Sequence, residues 1–218
     1  MEAGTPRGVK PSAADGPMTK PSPPERHLPL IRGTKVYLRP AEREDVPLFV
    51  RWFADAETAR GLMLRAPFSM AMEEQWFADM VGRQGKTDYH FVIYRLANDR
   101  PIGTAGLHDL DFLNGCAEFG ISIGEKGEWN RGYGTDALYA ICDFGFGELR
   151  LERIQLQVYA SNPRAQRSYA KAGFVLEGTM RRRHFSEGRY EDVLIMSLLR
   201  DEWAAQDRRR SWELNELG

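Results

Sequence analysis

The sequence predicts a mixed α/β domain, of the α+β kind, built on a largely antiparallel sheet. Three observations carry this prediction. Alternating apolar segments at residues 89–96, 101–108 and 118–123 follow one another through polar connections, the pattern of an antiparallel meander. A glycine-bearing loop, a helix and another alternating segment at 152–160 come next, and that order implies a right-handed crossover with a locally parallel pair. The chain then closes on a hairpin, 174–180 and 189–198, around the turn Ser186-Glu187-Gly188.

Residues 1–30 hold seven of the twelve prolines and no apolar period, so they read as a disordered leader outside the domain. Residues 34–40 form a strand closed by Pro40. Glu44-Asp45-Val46-Pro47 opens a first helix with the apolar stripe Leu48, Phe49, Trp52 and Phe53. The stretch 58–69 has no period and reads as a loop, and 70–80 is a second helix with Met72, Trp76, Phe77 and Met80 on one side. The meander follows, ending in Phe119, Ile121 and Ile123 on one face and Glu118, Gly120 and Ser122 on the other. After the loop, residues 136–146 carry apolar positions at helical spacing. Asn162 and Pro163 suit the cap and first position of a further helix, with Ala165, Tyr169 and Ala172 on one face and Gly173 as its stop. Residues 204–218 form a charged tail with the basic run Arg208-Arg209-Arg210.

Composition narrows the function class. With 42% hydrophobic and 28% charged residues the chain can build a core, and a net charge of −1 gives no reason to invoke nucleic acid or a membrane surface. No apolar run is long enough to span a bilayer and no secretory pattern is present, so a cytoplasmic protein is expected. Cys116 and Cys142 make neither a disulfide framework nor a metal site, and no metal is expected.

The informative stretch is the loop Trp129-Asn130-Arg131-Gly132-Tyr133-Gly134-Thr135 between a strand and a helix. A helix N-terminus offers unpaired N–H groups and a positive dipole end, a natural seat for phosphate. The glycine spacing is not that of a dinucleotide fingerprint, and no Gly-Lys-Ser/Thr ends a P-loop. By itself the pair Gly132 and Gly134 is also what a plain helix-entry turn would use.

One helix and one strand later comes Asn162-Pro163-Arg164-Ala165-Gln166-Arg167-Ser168-Tyr169-Ala170-Lys171-Ala172-Gly173-Phe174. This segment resembles the second signature of the GCN5-related N-acetyltransferases, the GNAT superfamily, and follows the loop in the same order. The entry Val36-Tyr37-Leu38-Arg39-Pro40, Trp129 in the loop and the ending Gly188 to Met196 are similar to the RimJ/RimL branch. The likeness spans residues 31–203. The family's loop often begins with Gln or Arg, so a cationic contact from Trp129 is excluded.

The resemblance implies a splayed sheet of six to seven strands with helices on both faces, and acetyl-CoA as co-substrate. Backbone N–H groups of Arg131, Gly132, Tyr133, Gly134 and Thr135, with Trp129 and Asn130 shaping the loop, would hold its pyrophosphate. Ile121, Ser122 and Ile123 would run beside the pantetheine arm, and Asn162 and Ser168 would reach the cofactor. Tyr169 is the candidate acid for the leaving thiolate, and Glu118 the candidate base for an amine acceptor: a protein N-terminus, a polyamine or another small amine. Bland readings stand beside these: Tyr169 as a core aromatic, Asn162 as a cap, Glu118 as a solvated or ion-paired strand carboxylate. His108 and Tyr89 are secondary base candidates, and a lone histidine at a strand end reads first as a surface residue. The family's first two helices roof the acceptor pocket, although core packing is the simpler role for Trp52, Trp76 and Phe77. Partners beyond the two substrates are not implied, though a homodimer is allowed. Two other classes share parts of the pattern: a silent acyl-CoA sensor, and a ribosome- or RNA-binding module using residues 181–184 and the tail.

Overall fold

A computed structural model of the chain describes residues 31–62 and 68–216, together with Met1. The proline-rich leader, residues 63–67 of the 58–69 loop, and residues 217–218 lie outside the described residues. The strands are β1 (Ile31–Arg32), β2 (Val36–Pro40), β3 (Tyr89–Arg95), β4 (Arg100–Asp111), β5 (Cys116–Ile123), β6 (Arg153–Tyr159), β7 (Val175–Ser186) and β8 (Arg189–Leu199). They form one eight-stranded sheet in the order β1-β2-β3-β4-β5-β6-β8-β7, antiparallel throughout except for β5 against β6. The meander, crossover and hairpin are therefore as expected. The eighth strand is the two-residue β1, too short for a period to reveal.

Helices cover both faces. On one lie α4 (Tyr133–Asp143) and α5 (Pro163–Lys171), packed on Phe91, Ile93, Leu107, Phe119, Ile154 and Leu156. On the other lie α1 (Val46–Phe53), α2 (Ala56–Arg60) and α3 (Met70–Arg83), where Phe49, Trp52 and Phe53 meet Val92. The period-2 alternation of the strands assigns each side chain to a face. It gives β5 an apolar face toward α4 and leaves Glu118, Gly120 and Ser122 toward the α1–α3 side. α2 corrects the reading of 58–69 as loop from its start: Asp55 accepts from Glu57 N at 3.1 Å and Thr58 N at 3.0 Å, so a capped five-residue helix forms without an amphipathic period.

Trp52 and Phe77 are core residues, as the simpler reading held. Trp76 packs edge-on to Phe49 and also borders a cavity described below.

The charged tail folds back. Two short helices, α6 (Arg200–Ala204) and α7 (Ser211–Asn215), follow β8. Asp143, 2% exposed at the end of α4, accepts from Trp203 Nε1 at 2.8 Å, Arg208 Nη2 at 2.6 Å and Ser211 N at 2.9 Å. The basic run is thus partly spent on a buried carboxylate inside its own domain. Among the described residues no helix is long and apolar enough to cross a membrane.

Candidate active site

β5 and β6 pair only through Cys116, Ala117 and Glu118 against Arg153, Ile154 and Gln155. Beyond that point β6 stays with β8 to Tyr159 and β5 stays with β4 to Ile123, so the two strands part. Alternate main-chain groups of Phe119 to Ile123 face the opening with no strand opposite, which is the edge an extended ligand arm can pair with. The opening is a cleft of about 400 Å³ between β5, the start of α4 and α5.

The α4 end of the cleft is set by backbone geometry. Gly132 caps α4 with φ +83, a conformation that favours glycine, and Asn130 is also left-handed at φ 61. Gly134 has no such constraint: an added Cβ would meet Ile123 Cγ1 at 3.7 Å and Ile121 Cδ1 at 3.9 Å, ordinary contacts. The fold tolerates a side chain there, so the open space in front of Gly134 serves something other than packing. The first-turn N–H groups of α4, on Tyr133, Gly134 and Thr135, have no intrahelical acceptor, and these residues line the cleft. Asp136 holds that helix end in place, accepting from Thr34 N at 3.0 Å, Lys35 N at 2.8 Å and Val36 N at 3.1 Å at the start of β2.

Of the residues expected at the cofactor, Ile121, Ser122 and Ile123 line the cleft from β5. Trp129, Asn130, Gly132, Tyr133, Gly134 and Thr135 line it from the loop and α4, and Asn162 and Ser168 from α5. Arg131 is turned away: its guanidinium reaches Glu128 at 3.2 Å and its carbonyl accepts from Lys35 Nζ at 3.0 Å. Trp129 donates from Nε1 to Ile123 O at 2.7 Å and so closes the open edge of β5 where the loop begins. Arg164 stacks over its ring at 4.0 Å. Positive side chains at this side of the cleft come from α5. Arg164, Arg167 and Lys171 all border the cleft, and their spacing of three and four residues, visible in the sequence, sets them along one side of the helix. Asn162 caps α5, its Oδ1 accepting from Ala165 N at 3.1 Å, while also facing the cleft, so the cap and the lining role coexist. Thr135 and Ser168 hydroxyls lie 2.7 Å apart and tie α4 to α5.

A second cavity, about 600 Å³, lies on the α1–α3 side of the sheet. It shares Ile121, Ser122, Asn162, Ala165 and Tyr169 with the cleft, so the two open into one another across β5 and α5. Its walls include the aromatic rings of Phe49, Phe53, Phe68, Trp76 and Phe91, and among the described residues its carboxylates are Glu73 and Glu118. Burial pushes the Glu73 carboxyl up. Glu118 stands at the last β5–β6 pair, is half-buried, and accepts from Gln157 Nε2 at 3.2 Å. Tyr169 packs edge-on to Phe119, 6.4 Å between ring centres, and burial pushes its phenol up to about 12.

His108 is neither lone nor a surface residue. It is half-buried beside His90, 4.6 Å between ring centres, because β3 and β4 bring both to the cavity face. His90 and Asp88 had no separate signal in the sequence, since nothing local links 88, 90 and 108 before the strands pair. Asp88, His90 and His108 place potential ligand atoms within 4.8 Å of one another, the one such group among the described residues. Its carboxylate is already engaged, Asp88 Oδ2 accepting from Arg83 Nε at 2.5 Å and Oδ1 from Asp109 N at 3.2 Å.

Residues 35–175 match the family model described as Acetyltransferase (GNAT) domain. The chain belongs to the GNAT acetyltransferases. It is 28% identical over 173 residues to the uncharacterized N-acetyltransferase p20 of Bacillus licheniformis, covering 78% of this chain and 96% of that one. It is 25% identical over 175 residues to spermidine N(1)-acetyltransferase of Escherichia coli K12, covering 79% and 90%. Among solved structures, spermidine N-acetyltransferase from Vibrio cholerae in complex with CoA and spermine superposes with a TM-score of 0.73 at 25% identity, covering 78% of this acetyltransferase and 98% of that chain. The protein is accordingly an acetyl-CoA-dependent N-acetyltransferase of the GNAT type.

Proposed function

We propose that this acetyltransferase moves the acetyl group directly from acetyl-CoA to a primary amine carried on an apolar or aromatic body, with both substrates bound at once. The observation that carries this reading is the meeting of two cavities at Ile121, Ser122 and Tyr169, one bordered by the start of α4 and the α5 cations, the other rich in aromatic side chains. The α4 N-terminus and Gly134 would hold the pyrophosphate, the α5 cations the remaining phosphate charge, and the open edge of β5 the pantetheine arm. The thioester then lies at the junction, and an amine in the second cavity attacks it from the far side.

The residues divide the work. Glu118 provides the carboxylate toward which an ammonium group is drawn, steadied by Gln157. Tyr169 keeps its proton at neutral pH as any phenol does, and burial raises it further. It therefore serves the departing thiolate as a hydrogen-bond donor, with full transfer uphill against a thiol of pKa about 8.5. The acceptor follows from the walls. A polyamine carries several cations, each needing a partner when desolvated, and the second cavity offers two carboxylates among the described residues. A single amine on a ring or aliphatic body meets both the charge and the apolar surface. The polyamine reading keeps one argument, the spermidine acetyltransferases among the relatives, and a protein N-terminus with an apolar first residue fits the same walls.

The test is acetyl-CoA-dependent thiol release over an amine panel. Arylalkylamines and apolar N-terminal dipeptides should exceed spermidine in kcat/KM by about tenfold or more, the value of one well-buried ring or side chain. Spermidine leading the panel would return the acceptor to the polyamines.

A further inference from the structure

The amine must lose a proton before it can attack, and the wall of the acceptor cavity holds a group placed to take it. Gly106 and Gly120 face one another across β4 and β5, two pairs along from His108 and Glu118 and so on the same face of the sheet. A Cβ on Gly120 would stand 3.0 Å from His108 Nε2, and one on Gly106 would stand 2.9 Å from its Cε1. The imidazole therefore lies over this glycine pair, with Nε2 carried over β5 in the direction of Ser122. Ser122, the next residue on that face of β5, borders both cavities, and His108 lines the second of them. Gly120 needs no positive φ, and His108 is what an added side chain there would meet. Its glycine is explained by the imidazole.

We propose that His108 is the catalytic base of the transfer, accepting the proton of the acceptor ammonium, with His90 and Asp88 as positioning residues behind it. The proposal rests on the acetyl-transfer reading above. His90 packs against His108 with the two rings tilted 45° apart, its own ring wedged edge-on against Trp76 at 5.3 Å, and its Nε2 lies 3.8 Å from Asp88 Oδ2. Arg83 and the Asp109 N–H hold Asp88 in turn. His108 Nε2 takes one proton from R–NH₃⁺ and becomes imidazolium. The neutral amine forms the C–N bond at the acetyl carbon, and the C–S bond breaks as the tetrahedral adduct collapses. The adduct's surplus N–H proton passes to the departing sulfur, which the Tyr169 hydroxyl steadies as a hydrogen-bond donor, and the imidazolium releases its proton to solvent.

Electrostatics agree with this geometry. Burial lowers the His108 pKa, opposed by the charges of Asp88, Asp109 and Glu118 and aided by Arg83. Glu73 also borders the cavity from α3. Burial, His108 and Arg83 lower His90, opposed by Asp88. Both rings are thus neutral at pH 7, and a neutral imidazole is the form that can accept.

His108→Gln separates this role from a structural one when two classes of amine are compared at pH 7. Toward a strongly basic alkylamine, kcat/KM should fall by about 100-fold or more, the usual worth of a general base. Toward a weakly basic amine already unprotonated at pH 7, such as an arylhydrazine, the loss should stay within about tenfold, because no ammonium proton needs removing. CoA affinity should be unchanged, which reports an intact fold. His90→Gln should displace the acid limb of the kcat/KM–pH profile rather than abolish turnover. Equal losses on both amine classes would overturn the proposal. So would a Glu118→Gln variant that shows the amine-dependent loss while His108→Gln does not, or activity that chelation removes and Zn²⁺ restores. The wild-type rate across the panel reports the acceptor reading, and the variant-to-wild-type ratio between amine classes reports this one.

Discussion

Gly134→Asp should abolish CoA binding while leaving the domain folded. Gly134 stands in the first turn of α4, outside the left-handed region, with ordinary clearance for a Cβ. An aspartate in the first turn of a helix is favourable for the helix itself. What it would oppose is the ligand. A carboxylate about 4 Å from a phosphate charge, at the effective dielectric of a protein surface, costs about 4 kcal/mol, or roughly a thousandfold in affinity. The milder Gly134→Ala should weaken binding through bulk alone and leave thermal stability unchanged or slightly higher, since alanine favours a helix over glycine. Titration calorimetry with CoA and a melting curve on the same samples check both halves. Retained affinity in Gly134→Asp would move the pyrophosphate away from α4.

Asp143→Ala should have the opposite signature, a large loss of stability with no direct contact to either cavity. The Asp143 carboxylate is the shared acceptor for the Trp203 indole, the Arg208 guanidinium and the Ser211 N–H. Removing it leaves a partly buried guanidinium and a buried indole N–H unpaired, which costs about 3–5 kcal/mol. For a domain of this size that is a fall of roughly 10 °C in Tm. Asp143→Asn should recover part of the loss, because an amide oxygen still accepts while its charge does not match Arg208. Removal of residues 205–218 should destabilise to a similar extent, since the carboxylate would lose the arginine it was buried with. A Tm within a degree or two of the parent for either change would show that the tail contributes little.

The reading of the chain succeeded where information was local. The meander, the crossover and the hairpin are written in period-2 alternation and turn residues, and Asn162-Pro163 announced its helix by cap chemistry alone. The loop and the α5 signature sit close enough in sequence for their order to identify a GNAT acetyltransferase. Failures have a common cause: they depend on contacts made only when distant segments meet. β1 exists because two residues pair with Leu38 and Tyr37. The tail is drawn in by a carboxylate on α4 more than sixty residues earlier. Arg131, the cation nearest the loop glycines in sequence, turns to Glu128, and Arg164 on the next helix takes the place beside Trp129. His108 looked isolated because its partners lie on the preceding strand, and its ring is accommodated by a glycine, Gly120, on the following one.

Initial rates measured over a matrix of acetyl-CoA and amine concentrations test most directly whether both cavities are filled together. Direct transfer in a ternary complex predicts reciprocal plots that intersect, and intact mass spectra of the protein with acetyl-CoA alone that show no added acetyl group. Parallel plots, accompanied by an acetylated protein that delivers its acetyl group to amine after acetyl-CoA is removed, would contradict it.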